Sequence, residues 1–167
     1  MKAQSKPAQA VSDSAPISKE RLRLWLKLFK AQSGIEAGLR RRLREQFDTT
    51  LPRFDVMSTL ARAPQGLRMS QISGLLKVSN GNITGIVDRL TDDGFAVRVA
   101  VPGDRRAQQV QLTKAGIEAF DTQAVAHEDW LNEMMGSLEV SEIDQLQSLL
   151  DTMINHLENK GVHSDAQ

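Results

Sequence analysis

Two adjacent arginines, Arg105 and Arg106, follow the turn-forming run Pro102-Gly103-Asp104. Paired guanidiniums at the tip of a hairpin suit contact with phosphate oxygens, because each donates hydrogen bonds in a fixed fork. Upstream, Ser79, Asn80, Gly81, Asn82, Thr84 and Arg89 surround apolar residues that recur at helical intervals, Ile83, Ile86, Val87 and Leu90. An asparagine on an open helix face can read adenine through two hydrogen bonds. The chemistry these residues suit is recognition of duplex nucleic acid. Nothing in the chain resembles a Gly-rich phosphate loop, a His-Glu-x-x-His zinc site or a nucleophile elbow, so an enzyme is not expected.

The elements that must position these groups follow from spacing. Ser79 stands where an N-cap is needed, with a hydroxyl able to accept from a first-turn amide. Gly94 stands where a left-handed residue closes the helix. The period then changes from 3.6 to 2: Phe95, Val97, Val99 and Val101 alternate with Ala96, Arg98 and Ala100, which predicts a half-buried strand facing inward through the first set. After the turn at Pro102 to Asp104, Val110 and Leu112 resume the alternation in a returning strand. Ser70 caps a preceding helix over Gln71 to Lys77, and Val78-Ser79 joins the two helices. The first helix of such a pair crosses the backbone of a duplex, which makes Ser70 and Gln71 candidates for phosphate contact. The whole is a winged helix-turn-helix, with the helix for a major groove and the wing for a minor groove or phosphates.

The rest of the chain reads as helix. Residues 1–16 lack periodicity and are expected to be a disordered arm. Ser18 is expected to cap a long helix to about Asp48, with Leu22, Trp25, Leu26 and Phe29 on one stripe and Ile35, Leu39, Leu43 and Phe47 on a displaced second one. Such a helix is about 45 Å long, more than one small lobe covers. Pro52 to Ala63 forms a second helix, with Pro52 in its first turn. Thr113 caps a helix to about Met135, with Ile117, Phe120, Ala124, Leu131 and Met134 on one face. Ser141, with Asp144 as capping-box acid, starts a last helix to Leu157. The predicted class is mainly α with a small β-hairpin wing. The predicted division is a lobe at 51–113, a helical dimerisation region at 17–50 and 114–160, and a tail at 161–167.

The run Asp104 to Thr113, Asp-Arg-Arg-Ala-Gln-Gln-Val-Gln-Leu-Thr, resembles the Asp-x-Arg-x-x-x-Val-x-Leu-Thr wing signature of the multiple antibiotic resistance regulator (MarR) family, matching at Asp104, Arg106, Val110, Leu112 and Thr113. The order of elements from roughly Ser18 to Leu157 is similar too. The resemblance implies a homodimer reading an imperfect palindrome of double-stranded DNA. It implies a repressor released by a small anionic or aromatic effector bound between the dimer region and the lobe. The run Ser79 to Gly85 looks like the turn and recognition helix of MarR-type repressors of aromatic-acid degradation, some of which answer hydroxycinnamoyl-coenzyme A thioesters such as p-coumaroyl-CoA. An aryl-CoA effector would place its ring among Phe29, Phe54, Met57, Met69 and Phe120 and its phosphates against Arg40, Arg41 or Arg44. Each of these has a plain alternative: the apolar residues as ordinary core, the arginines as a solvated helix face. A free aromatic carboxylate is the other effector class, and a winged-helix protein-interaction module is the other function.

Composition sets the remaining bounds. The chain has 167 residues, 40% hydrophobic and 25% charged, which fits one domain or one with an added subdomain. Zero net charge hides an asymmetry: residues 62–114 hold 8 Lys/Arg against 4 Asp/Glu, and residues 115–167 hold 1 against 11. A neutral chain so divided can still bind a polyanion through its basic part. There is no cysteine, which excludes disulfides, thiolate zinc sites and the cysteine-based peroxide sensing of some MarR-like proteins. His127, His156 and His163 lack metal-motif spacing and are expected at helix surfaces; no metal and no cofactor are expected. No apolar run reaches about 18 residues and none near the start is of signal type, so a cytoplasmic protein without membrane contact is expected.

Overall fold

The computed structural model describes residues 14–101 and 103–160. The expected arm up to residue 13, the tail 161–167 and Pro102 of the turn lie outside the described residues, as do the side chains of residues 14–16 and 104–107, Arg105 and Arg106 among them. Six helices and one hairpin follow in the order α1 (Ser14–Phe47), α2 (Leu51–Ala61), α3 (Met69–Leu76), α4 (Asn80–Asp92), β1 (Ala96–Val101), β2 (Asp104–Leu112), α5 (Lys114–Met135) and α6 (Val140–Asn159). The class is mainly α with a two-stranded antiparallel wing. No helix among the described residues is long and apolar enough to cross a membrane.

Two cores share α2. In the lobe, Val56, Met57 and Leu60 of α2 pack on Ile72 of α3, on Ile83, Val87 and Leu90 of α4, and on Ala96 and Val110 of the hairpin. On the other side, Phe54 of α2 packs with Leu39 and Leu43 of α1 and Trp130 of α5. The lobe is thereby fixed to the second half of α1 and to α5.

The first half of α1 and all of α6 find no such cover. Leu22, Trp25, Leu26 and Phe29 are exposed, with Trp25 and Phe29 stacked at 6.0 Å between ring centroids. On α6 no residue is buried, although Leu146, Met153 and Leu157 lie on its apolar stripe.

Several helix starts differ from expectation. α1 begins at Ser14, so Ser18 lies inside it; Pro16 occupies the first turn, where a missing amide leaves no bond unmade. α3 starts at Met69 with Arg68, not Ser70, at the N-cap, because Gln71 Oε1 accepts from the Arg68 amide at 2.8 Å. Glu139 caps α6 in place of Ser141, and Glu142, not Asp144, is the capping-box acid, accepting from the Glu139 amide at 2.9 Å.

The wing strand also differs in parity. Ala96 is buried, while Val97 and Val99 are 41% and 37% exposed. Only the base of the ribbon meets the lobe; beyond Ala96 neither face has a partner, so alternation carries no information about burial there. Leu67 pairs with Val110 beside the hairpin, with amide-to-carbonyl distances of 3.0 and 2.8 Å in the two directions.

Candidate nucleic-acid interface

α4 divides cleanly. Ile83, Val87 and Leu90 are buried in the lobe, and Asn80, Gly81, Asn82, Thr84, Gly85, Asp88 and Arg89 are exposed together with Ser79. Ser79 holds the N-cap position with extended backbone, but its hydroxyl makes no capping bond, which leaves that group open to another acceptor or donor. Thr84 donates its hydroxyl to the Asn80 carbonyl at 2.9 Å, so only its oxygen and methyl remain for a partner. Ser70 and Gln71 are exposed at the start of α3; the capping bond of Gln71 engages its oxygen and not its amide nitrogen.

Three ties hold α4 and the wing in relation to the lobe. Arg98 of β1 donates to Asp88 of α4 at 2.7 Å. Arg53 of α2 pairs with Asp93, the residue that caps the end of α4. Thr113, after β2, donates its hydroxyl to the Gly94 carbonyl at 2.6 Å and accepts from the Gly116 amide at 3.0 Å. Gly94 takes φ +77, the left-handed turn expected of it. A helix fixed at its end by α2 and at its middle by the wing presents its polar face in one orientation.

The arginine cluster at the end of α1 is not one surface. Arg42 turns to α5 and holds Glu133 through two bonds of 2.7 and 2.8 Å, which keeps the Glu133 carboxyl below its usual range. Arg40 pairs with Glu36 on its own helix. Arg40 and Arg44 line a groove of about 250 Å³ whose opposite wall is Asn82, Ile86 and Arg89 of α4. Arg41 lies beside them, on a shallower surface with Ala37 and Glu45. Residues expected to hold an effector's phosphates and residues expected to read DNA thus share one groove, a proximity that helical spacing alone does not reveal.

The apolar effector candidates separate. Phe54 is buried, its ring 5.6 Å from Phe120 and 4.5 Å from His127. Met57 is buried in the lobe core, and Met69 packs half-buried against it. Phe29 stands 59% exposed on the first half of α1. His127, expected at the surface, is half-buried on Phe54, and burial pulls its pKa down. Asp55, on α2, has its pKa raised by burial, with Glu36 raising it and Arg40 lowering it.

Three polar residues of this region escaped sequence reasoning: Arg53, Asp93 and Gln123. Gln123 left a trace, since it falls between Phe120 and Trp130 on the stripe that α5 buries, where a polar residue is out of place.

Residues 47–107 match the sequence profile described as the MarR family. The HTH-type transcriptional regulator PecS of Dickeya dadantii (strain 3937) is 32% identical over 108 residues, which span 64% of this chain and 65% of PecS, just under two thirds of that relative's length. The crystal structure of a MarR family transcriptional regulator from Silicibacter pomeroyi is similar with a TM-score of 0.73 and 31% identity, over 87% of this chain and 99% of that one. A mutant MarR from E. coli, crystallised with operator DNA, shares the fold with a TM-score of 0.71 and 24% identity, over 80% of this chain and 95% of that one.

Proposed function

Because the chain belongs to the MarR family of transcriptional regulators, we propose that it is a repressor that binds an imperfectly palindromic operator as a homodimer. The observation that carries this reading is the parity of α4: its apolar residues are buried and its asparagines, threonine and arginine are turned outward beside a wing. That face fits a major groove, and Arg106 at the wing fits the adjacent minor groove. The exposed apolar residues of α1 and α6 support a second copy of the chain as the cover they lack. The test is mobility shift with DNA from upstream of the protein's own coding sequence. Log affinity is expected to fall with log salt concentration; a slope near zero would count against DNA as the partner.

The effector in this reading is a hydroxycinnamoyl-CoA thioester such as p-coumaroyl-CoA, and the controlled genes serve degradation of aromatic acids. Support comes from the groove between Arg40, Arg44 and Arg89. Guanidiniums there suit a ligand with several phosphates, and a phosphate held against Arg89 and Asn82 competes with DNA for the same side chains. Calorimetric titration with p-coumarate and with its CoA thioester tests it. Tighter binding of the thioester, lost on Arg40→Glu with Arg44→Glu, supports the assignment. Binding of the free acid at least as tightly would leave an aromatic carboxylate as the effector and remove the phosphate role of the arginines.

A further inference from the structure

A separate cleft, of about 570 Å³, opens where the end of α1, the start of α2, the end of α4 and the first half of α5 meet. Phe47, Met57 and Phe95 form its apolar walls. Two polar atoms of its lining residues, Gln123 Oε1 and Arg53 Nε, are buried without a hydrogen-bond partner among the described residues. Gln123 is 6% exposed, so bulk water does not serve it. Buried polar groups are nearly always matched, and an acceptor and a donor left together at one cleft point to a molecule that supplies their complements.

Charge narrows the class of that molecule. Arg53 is engaged by Asp93, and Asp48 adds a second carboxylate to the lining. No surplus cation remains to hold a carboxylate or phosphate there, in contrast to the arginine groove. The aromatic walls favour a flat ring. A neutral planar molecule with an N–H donor for Gln123 and a carbonyl acceptor for Arg53 meets every condition, and aromatic carboxamides and lactams carry both groups on one edge.

We infer that this cleft is a binding site for a small neutral carboxamide or lactam, distinct from the groove beside the recognition helix. Its position gives it leverage. Asp93 caps α4, so the Arg53–Asp93 pair is the tie between α2 and the end of the recognition helix. A ligand that accepts from Arg53 acts on that tie, and it alters DNA affinity by its differential affinity for the two placements of α4. This second step rests on the DNA-binding reading above; the binding itself does not.

The experiment is calorimetric titration of the full chain, without DNA, with benzamide, 2-quinolone and sodium benzoate. Benzamide and 2-quinolone are expected to bind once per chain. Benzoate matches benzamide in shape but is charged and lacks the donor, and is expected to bind about tenfold more weakly or worse. Gln123→Leu removes the acceptor at similar volume and is expected to abolish binding of both neutral probes while the thermal midpoint holds. Arg53→Lys retains a cation opposite Asp93 without Nε and is expected to weaken them likewise, which decides the matter should the first variant fold poorly. The site is overturned if benzoate binds as well as benzamide, if a folded variant keeps wild-type affinity, or if neither neutral probe binds saturably up to its solubility limit.

Discussion

Gly116 and Phe95 touch backbone to backbone: a Cβ added to Gly116 would stand 1.9 Å from the Phe95 carbonyl oxygen. That oxygen also accepts from the Thr113 amide at 3.0 Å, so it cannot swing aside without breaking the junction of wing and α5. Gly116→Ala is therefore expected to cost about 3 kcal/mol or more, well beyond an ordinary surface change. Urea unfolding checks it, through a lower midpoint at unchanged slope. A loss below about 0.5 kcal/mol would mean that α5 slides freely on β1.

Base reading and phosphate attraction separate by mutation. Asn82→Ala is expected to relax preference at one base pair of the operator, because a bidentate contact to adenine is lost. Arg106→Ala is expected to weaken binding by about 1–3 kcal/mol. Competition with single-base operator variants reads the first, and titration with the intact operator reads the second. Wild-type preference and affinity in both variants would remove α4 and the wing from the interface.

The apolar half of α1 carries the assembly. Sedimentation velocity is expected to show two chains per particle for the wild type. Leu26→Asp with Phe29→Asp places two charges on exposed apolar ground and is expected to give a monomer that retains a folded lobe, since neither residue belongs to either core. A wild-type monomer would leave those side chains without a role.

Asp55 makes stability depend on pH with a definite sign. Its folded pKa is raised by burial and by Glu36. The folded state then binds the proton more tightly than the unfolded state, so this residue's stabilising contribution is full below the unfolded carboxylate pKa and is lost as pH rises through the folded one. At neutral pH the ionised carboxylate is the disfavoured form. Asp55→Asn is expected to raise the melting temperature near neutrality and to lose that advantage in acid. A melting temperature lowered equally at both ends would show that the carboxylate is satisfied as an ion.

Legibility in the sequence followed the range of the interactions. Local signals were readable: the stripe Ile83, Val87, Leu90 marks the buried face of α4, and Gly94 marks its end, because both depend on neighbours within a few residues. The outward set Asn80, Asn82, Thr84 and Arg89 follows from that stripe by subtraction. Caps slipped by one or two positions because Gln71 and Glu142 compete with nearby serines for the same amides. Arg53 and Asp93 are 40 positions apart, and no spacing rule joins them. The groove that brings Arg40 and Arg44 of α1 against Arg89 of α4 arises from the packing of α2 between them, which no single periodicity encodes. The inward parity of β1 failed at Val97 and Val99 because a two-stranded ribbon has no second layer to face.

α6 runs for 20 residues and buries none of them. An isolated helix of that length is only marginally stable in water, so the free energy that keeps it ordered enters from outside its own chain. Where the cover is a second copy, dilution acts as a denaturant. The melting temperature then rises with the logarithm of protein concentration, and a cell holding few copies holds a softer protein as well as a scarcer one. Synthesis rate and structural integrity become the same variable for this chain.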